Sequence, residues 1–257
     1  MGTGLGFRRH LIPLAESAIR TADKVLFQVG DAATAAWLRA LNSTAESLSQ
    51  EVVKPLPKYV AYETIVERIV SSVRAGLNVC FATYGHPGML QHASHRSLDI
   101  LGNEGYRTVM LPGISALDCL LADLRVDIAG GCQVLDASVL VTSRKPLDPS
   151  SALVLFQAGI FGNPYYQRDE TPRLDLLAEY LRAFYGKDAE VILYEAPVLP
   201  VWGPRIQRVP LSDFERCPVS ERTLVYLASV TERPPSVVTL AEMGAALASC
   251  RRGGSGE

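Results

Sequence analysis

The sequence has no surplus of either charge: 25 Lys and Arg stand against 27 Asp and Glu, a formal net charge of -2. With no polybasic face to neutralise a phosphate backbone, nucleic acid is not an expected partner. There is no apolar run near the roughly 20 residues that cross a bilayer. The opening MGTGLGFRRH lacks the apolar core of a signal peptide. No membrane contact and a cytoplasmic location are therefore expected. The five cysteines, Cys80, Cys119, Cys132, Cys217 and Cys250, are odd in number, far apart and mostly set among apolar neighbours. They read as buried free thiols rather than a disulfide framework. His86, His92 and His95 come with no carboxylate or cysteine at a zinc spacing, so no metal is expected. No glycine loop is followed by a Walker lysine. In GTGLG, Gly2 to Gly6, the third glycine comes one residue too early for a dinucleotide fingerprint, and no strand precedes it.

What is present is a chain of 257 residues, 48% hydrophobic, long enough for two lobes. Short β-branched runs alternate with longer amphipathic segments, the pattern of βαβ units and parallel sheets. The candidate strands are Lys24–Gln28, Asn78–Ala82, Thr108–Leu111, Ala152–Phe156, Glu190–Tyr194 and Thr223–Leu227. Helical spacing runs over Thr34–Ala40, Tyr62–Ala75, His95–Glu104, Ser115–Leu124 and Pro172–Phe184, with Gly76 placed as a C′ glycine. The turn Leu111-Pro112-Gly113 divides an N-terminal lobe, 1–112, from a C-terminal lobe, 113–247, ahead of a disordered tail, 248–257.

In open α/β sheets, ligands bind beyond the carboxyl ends of the strands. TYGHPGML, Thr83 to Leu90, stands at such an end, as do PGISA (Pro112 to Ala116), Gln157-Ala158-Gly159 and Glu195-Ala196-Pro197. Turns of small residues let backbone groups approach a ligand closely, and together these turns describe a cofactor cleft.

In their order along the chain, YGHPG (Tyr84 to Gly88), His95-Arg96, EGY (Glu104 to Tyr106) and PGISALDCLLADL (Pro112 to Leu124) form a pattern. Asp148-Pro149, FQAG (Phe156 to Gly159), ILYEAPVLP (Ile192 to Pro200) and Pro204-Arg205-Ile206 extend it over nearly the whole chain. The pattern resembles the tetrapyrrole-methylase superfamily, and within it the borosin peptide backbone N-methyltransferases. The resemblance implies an α/β fold with a mainly parallel N-terminal sheet and a mixed C-terminal sheet. It places S-adenosylmethionine between the lobes of a homodimer. It implies as substrate the backbone of a ribosomally made precursor peptide. The chain ends soon after Leu227 with no long apolar tail, so the peptide is expected as a separate partner. The cofactor is expected against Tyr84, His86, Pro87, Gly88, Leu90, His95, Ser115, Ala116, Gln157 and Ala196.

An amide nitrogen is a poor nucleophile because its lone pair is shared with the carbonyl. Methylating it calls for alignment, stabilisation of charge on the carbonyl oxygen and an acceptor for the N–H proton. In the enzymes it resembles, this work falls to tyrosines and an arginine. Their positions match Tyr62 at the head of a long helix, Tyr84 in the loop, and Lys58 where the arginine would stand, with the planar fork lost. A further upstream tyrosine has no counterpart between Ser47 and Pro57, and Tyr59 is its nearest substitute. The family also opens with an apolar strand ahead of its GTG, whereas here Gly2-Thr3-Gly4 follows Met1, so unpaired ladder groups are expected nearby. A corrinoid-type small-molecule methylase and a cofactor- and peptide-binding homologue without turnover are the alternatives.

Overall fold

A computed structural model describes residues 1–52, 57–163 and 172–230. Cys250 and the expected 248–257 tail lie outside these residues. The first sheet holds β1 (Lys24–Gln28), β2 (Glu46–Ser47) and β3 (Val79–Thr83), all parallel, in the order β2-β1-β3. Val25, Leu26 and Phe27 are all buried, as a parallel strand covered on both faces requires. One face is covered by α1 (Pro13–Thr21) and α2 (Ala32–Leu41), whose Ile19 and Leu38 meet Val25 and Phe27. After the short α3 (Ser49–Val52), α4 (Lys58–Arg74) and α5 (His92–Asn103) cover the other. There Leu26 meets Ile65, Val66 and Ile69 of α4 and Leu101 of α5.

The stripe Ala61, Ile65, Val66, Ile69 and Val70 is buried along α4, at the three- and four-residue spacing of one helical face. The helix stops where the sequence places its C′ glycine: Gly76 has φ +87° and donates to the Val73 carbonyl at 2.9 Å.

The second sheet holds β4 (Cys132–Asp136), β5 (Ala152–Phe156), β6 (Glu190–Glu195), β7 (Arg205–Pro210) and β8 (Leu224–Leu227), in the order β4-β5-β8-β6-β7. Only β4 and β5 are parallel, and the remaining pairs are antiparallel. One face packs on α7 (Ala137–Thr142) and α8 (Leu174–Tyr185), where Leu177 and Leu181 meet Leu153, Leu155 and Val225. On the other face α6 (Ala116–Leu124) buries Leu120 against Val154, Ile192 and Tyr194. A capping box starts α6: Ser115 and Asp118 each accept the other's backbone N–H.

Three strands were not expected from the sequence. Glu46–Ser47 is two residues long, Cys132–Asp136 is half-buried, and Arg205–Pro210 alternates polar and apolar side chains without a continuous run. Conversely, Thr108–Leu111 is expected as a strand and is not one in the structure. The reason lies in its neighbour. Met1 to Gly4 lie beside β3, in a parallel bridge between Gly2 and Thr83. Thr3 N–H donates to Thr83 O at 2.8 Å, and Thr83 N–H to Met1 O at 3.1 Å. Gly2 N–H then reaches Leu111 O at 3.2 Å, the single ladder bond offered to that segment among the described residues. Ahead of Met1, a cleft of about 570 Å³ separates Val79–Phe81 from Tyr106–Leu111, and the Met1 ammonium donates to Phe81 O at 2.8 Å. Ser94 and Ser97 of α5 line this cleft with buried hydroxyls that have no partner among the described residues.

The thiols are less uniformly buried than expected. Cys80 is buried, whereas Cys119, Cys132 and Cys217 are half-buried, and all four are free. Among the described residues, no helix is long and apolar enough to cross a membrane.

Candidate functional site

A cleft of about 420 Å³ lies between the two sheets, at the carboxyl ends of β1, β3, β5 and β6. Its construction begins with glycines. A Cβ on Gly2 would stand 2.2 Å from Gly85 O, and one on Gly113 would stand 2.4 Å from the same oxygen. Only residues without a side chain allow the opening GTG, the YGHPG loop and the PGISA turn to meet backbone to backbone. A second junction joins Gly159 to Ser220, whose carbonyl oxygen lies 1.9 Å from where a Gly159 Cβ would be.

Of the residues expected to hold a cofactor, Tyr84, His86, Leu90, Ser115, Ala116, Gln157 and Ala196 line this cleft. Pro87, Gly88 and His95 do not; Pro87 lines the cleft ahead of Met1 instead. They are nonetheless tied to the loop. His86 Nδ1 accepts the Gly88 N–H, and His95 Nε2 lies 3.0 Å from Gly88 O, so two imidazoles hold one glycine. Leu90 and Gln157, facing the cleft from opposite lobes, take left-handed φ values of 53° and 64°. Such strain in non-glycine residues concentrates where a ligand or switch needs it.

The expected catalytic residues do not converge in this structure. Tyr84 is in the cleft and 41% exposed. Tyr62 stands outside the lining, half-buried against the core of the first lobe. Its spacing explains this: Tyr62 precedes Ile65, Val66 and Ile69 by three, four and seven residues, so it belongs to the stripe that α4 turns inward. Its ring lies 6.1 Å from that of His92, whose Nε2 is 2.6 Å from Glu63 Oε1. Lys58 reaches across to the second lobe and donates to Asn163 O at 2.5 Å. Tyr59 is 70% exposed. Among the described residues, no three His, Cys, Asp or Glu side chains are placed to hold a metal.

Other lining residues were not foreseen. Gln28 ends β1, Val29, Gly30 and Asp31 form the turn after it, and Asp31 caps α2 by accepting the Thr34 N–H at 2.7 Å. The strand-end rule, applied to Lys24–Gln28 as it was to the other strands, would have found them. Thr3, Gly4 and Leu5 line the cleft as well, although GTGLG does not fit a nucleotide motif. Glu221 to Leu224 line the far wall. They lead into β8, of which Leu224 is the first residue; β8 runs antiparallel to β5 and β6, so its beginning, rather than its end, faces the cleft.

Glu195 holds that wall together. Its Oε1 accepts from Thr223 Oγ1 at 2.5 Å, Ser220 Oγ at 3.0 Å and Arg205 Nη1 at 3.0 Å, and Arg222 lies 3.6 Å from Oε2. Burial alone would raise the Glu195 carboxyl's pKa. The two hydroxyls and two guanidiniums outweigh it and keep the group below the ordinary glutamate value.

The chain is 36% identical over 220 residues, 84% of its length, to a methyltransferase/ribosomally synthesized type I borosin cyclic peptide precursor of Coprinopsis marcescibilis, of which it covers 56%. It is 33% identical over 225 residues, 86% of its length, to the methyltransferase/ribosomally synthesized cyclic peptide omphalotin A precursor of Omphalotus olearius, covering 54% of it. The chain thus spans about half the length of these curated relatives. Its fold is similar to that of uroporphyrin-III-C-methyltransferase from Thermus thermophilus, with a TM-score of 0.62, 20% identity and 90% of each chain covered. Since residues 1–197 match the model of the Tetrapyrrole (Corrin/Porphyrin) Methylases, the chain belongs to that family of methyltransferases.

Proposed function

We propose that the chain uses S-adenosylmethionine to methylate backbone amide nitrogens of a ribosomally made peptide, supplied as a separate molecule. The observation that carries this reading is the convergence of the YGHPG, PGISA, Gln157 and Ala196 turns on one cleft between the lobes. Relatives that carry methyltransferase and cyclic-peptide precursor in one chain support the choice of acceptor. The cleft suits the cofactor. Its volume of about 420 Å³ falls in the small-molecule range, Gly85, Ala116 and Ala196 expose backbone, and Asp31 and Glu221 offer acidic groups to a cation.

S-adenosylmethionine, when bound, would supply a sulfonium methyl group, and the acceptor amide would have to give up its proton in exchange. The chain must hold the amide, shield it from water and take that proton. Tyr84 brings a phenol to the cleft wall. Tyr62 and Lys58 stand at the head of α4, with Lys58 joined to Asn163 of the opposite lobe. In this reading, closure of the lobes on a peptide brings the α4 head to the amide, and the phenols serve as hydrogen-bond donor and proton acceptor. A phenol's reference pKa of about 10 makes a partner necessary for the second role.

A polycarboxylated ring as acceptor is less well supported. Arg222 is the one arginine among the described residues that line the cleft, and it already lies beside Glu195. We also propose a homodimer, consistent with the exposed apolar pair Val201 and Trp202, 78% and 62% accessible; sedimentation analysis decides this.

The test is incubation with S-adenosylmethionine and the peptide encoded beside the gene, followed by mass spectrometry with fragmentation. Mass increments of one methyl located on backbone amides support the reading, and side-chain methylation alone sinks it.

A further inference from the structure

Among the described residues that line the cleft, Gln28 carries the one buried side-chain polar atom without a hydrogen-bond partner, its Oε1. A buried, unpaired amide oxygen costs stability, and folded proteins keep few of them. Strand alternation shows where this one points. Val25 and Phe27 face α1 and α2, Leu26 faces α4 and α5, and Gln28 shares the face of Leu26. Lys24, on the same face at the other end of β1, is paired with Glu46 at 2.7 Å. Gln28 is thus the polar end of that face, and its Oε1 has no hydrogen-bond partner among the described residues. Its backbone oxygen accepts the Tyr84 N–H at 3.2 Å, which sets the end of β1 beside the YGHPG loop.

We propose that Gln28 is a specificity-determining residue whose carboxamide holds one peptide unit of the acceptor, next to the unit being methylated. This rests on the acceptor reading above. A carboxamide places an acceptor and a two-hydrogen donor side by side, the complement of a peptide unit's N–H and C=O. On binding, the carboxamide turns so that Oε1, buried in the free chain, accepts the peptide N–H, and Nε2 donates to a peptide carbonyl. The consequence concerns order. A unit that already carries an N-methyl has no hydrogen for Oε1 and is refused at this position. Sites built to hydrogen-bond a group reject the analogue that lacks it far more strongly than apolar pockets reject a changed methyl.

The test measures binding by calorimetry, using saturating S-adenosylhomocysteine and a blocked seven-residue peptide of valine, isoleucine and glycine. A set of the same peptide with a single N-methyl at each successive position completes the probes. In the native chain, one position of N-methylation weakens binding about 10-fold or more. Gln28→Met weakens binding of the unmethylated peptide by about 10-fold and abolishes that positional penalty. S-adenosylhomocysteine affinity is unchanged in this variant, and its melting temperature is equal or higher, because the unpaired oxygen is gone. A merely structural Gln28 would give a lower melting temperature with peptide affinity intact, and a cofactor contact would give loss of S-adenosylhomocysteine affinity instead. Either result overturns the assignment. A native chain that binds S-adenosylhomocysteine but none of the peptides overturns the acceptor reading and this inference with it.

Discussion

Lys58 and Asn163 join the two lobes: the lysine at the first turn of α4 donates to the asparagine's backbone carbonyl at 2.5 Å, across 105 residues of sequence. The contact is charge-assisted and part-buried, the kind worth about 1.5 to 3 kcal/mol. Lys58→Met is expected to lower the melting temperature and depress methyl transfer, while Lys58→Arg, which keeps the charge, preserves both. Thermal denaturation and initial rates measured on the same preparations check this. Native-like stability in Lys58→Met would show that the bridge does not couple the lobes.

Tyr62→Phe removes one oxygen and leaves the ring against Ile65, Val66 and Ile69. S-adenosylhomocysteine affinity is expected to barely move, while methyl transfer falls about 100-fold, as on losing one acid/base group. Full activity would make Tyr62 purely a core residue and leave the phenol's role to Tyr84.

Cleft integrity is expected to depend on acid pH through Glu195. Its carboxyl pKa is held below the ordinary value of 4.5 in the folded chain. Its contribution is therefore fully present above that value and is lost as pH falls through the lower, folded one. Cofactor affinity followed downward from neutral pH should hold until the pH drops below the ordinary glutamate range. Glu195→Gln should bind weakly at every pH. An identical acid profile in that variant would assign the effect to another group.

Gly159→Ala forces a methyl to within 1.9 Å of Ser220 O. A loss of about 1 to 3 kcal/mol is expected from this overpacking, together with weaker cofactor binding, because Ser220 begins the segment leading to Thr223. Gly130→Ala, which meets nothing within 4 Å, is the neutral control.

Burial pushes the Met1 amine below its usual value of 8.0. The unfolded chain then binds that proton more readily, so stability rises as pH climbs from the folded value toward 8.0. A short Val-Ile-Val extension engineered before Met1 replaces the ammonium with an amide and offers backbone groups to the cleft beside Phe81. It is expected to abolish this pH dependence and raise the melting temperature. A Gly-Ser-Gly extension of equal length should abolish the pH dependence alone. Equal stabilisation by both would show that the cleft does not select an apolar strand.

Patterns that depend on near neighbours were legible from residues alone. The apolar runs of β1, β5, β6 and β8 mark buried strands, the stripe along α4 marks its inward face, and Gly76 marks its end. The glycine and small-residue turns after strands pointed to Tyr84, Ser115, Gln157 and Ala196 as neighbours, because a ligand cleft needs backbone that can be approached. Those signals are local, set by periodicity and by the allowed angles of single residues. What only the tertiary structure decided were the relationships between distant segments. Thr108–Leu111 has a strand's composition, but a strand needs a ladder partner, and among the described residues Gly2 alone offers it a ladder bond. Thr223 and Leu224 reach the cleft because β8 runs antiparallel, a direction that no run of residues encodes by itself. Lys58 turns to Asn163 and Tyr62 to the core because the side-chain face of a helix is fixed by what the whole helix buries. Gln28 carries no motif, and it became a candidate only when folding left its buried oxygen without a partner.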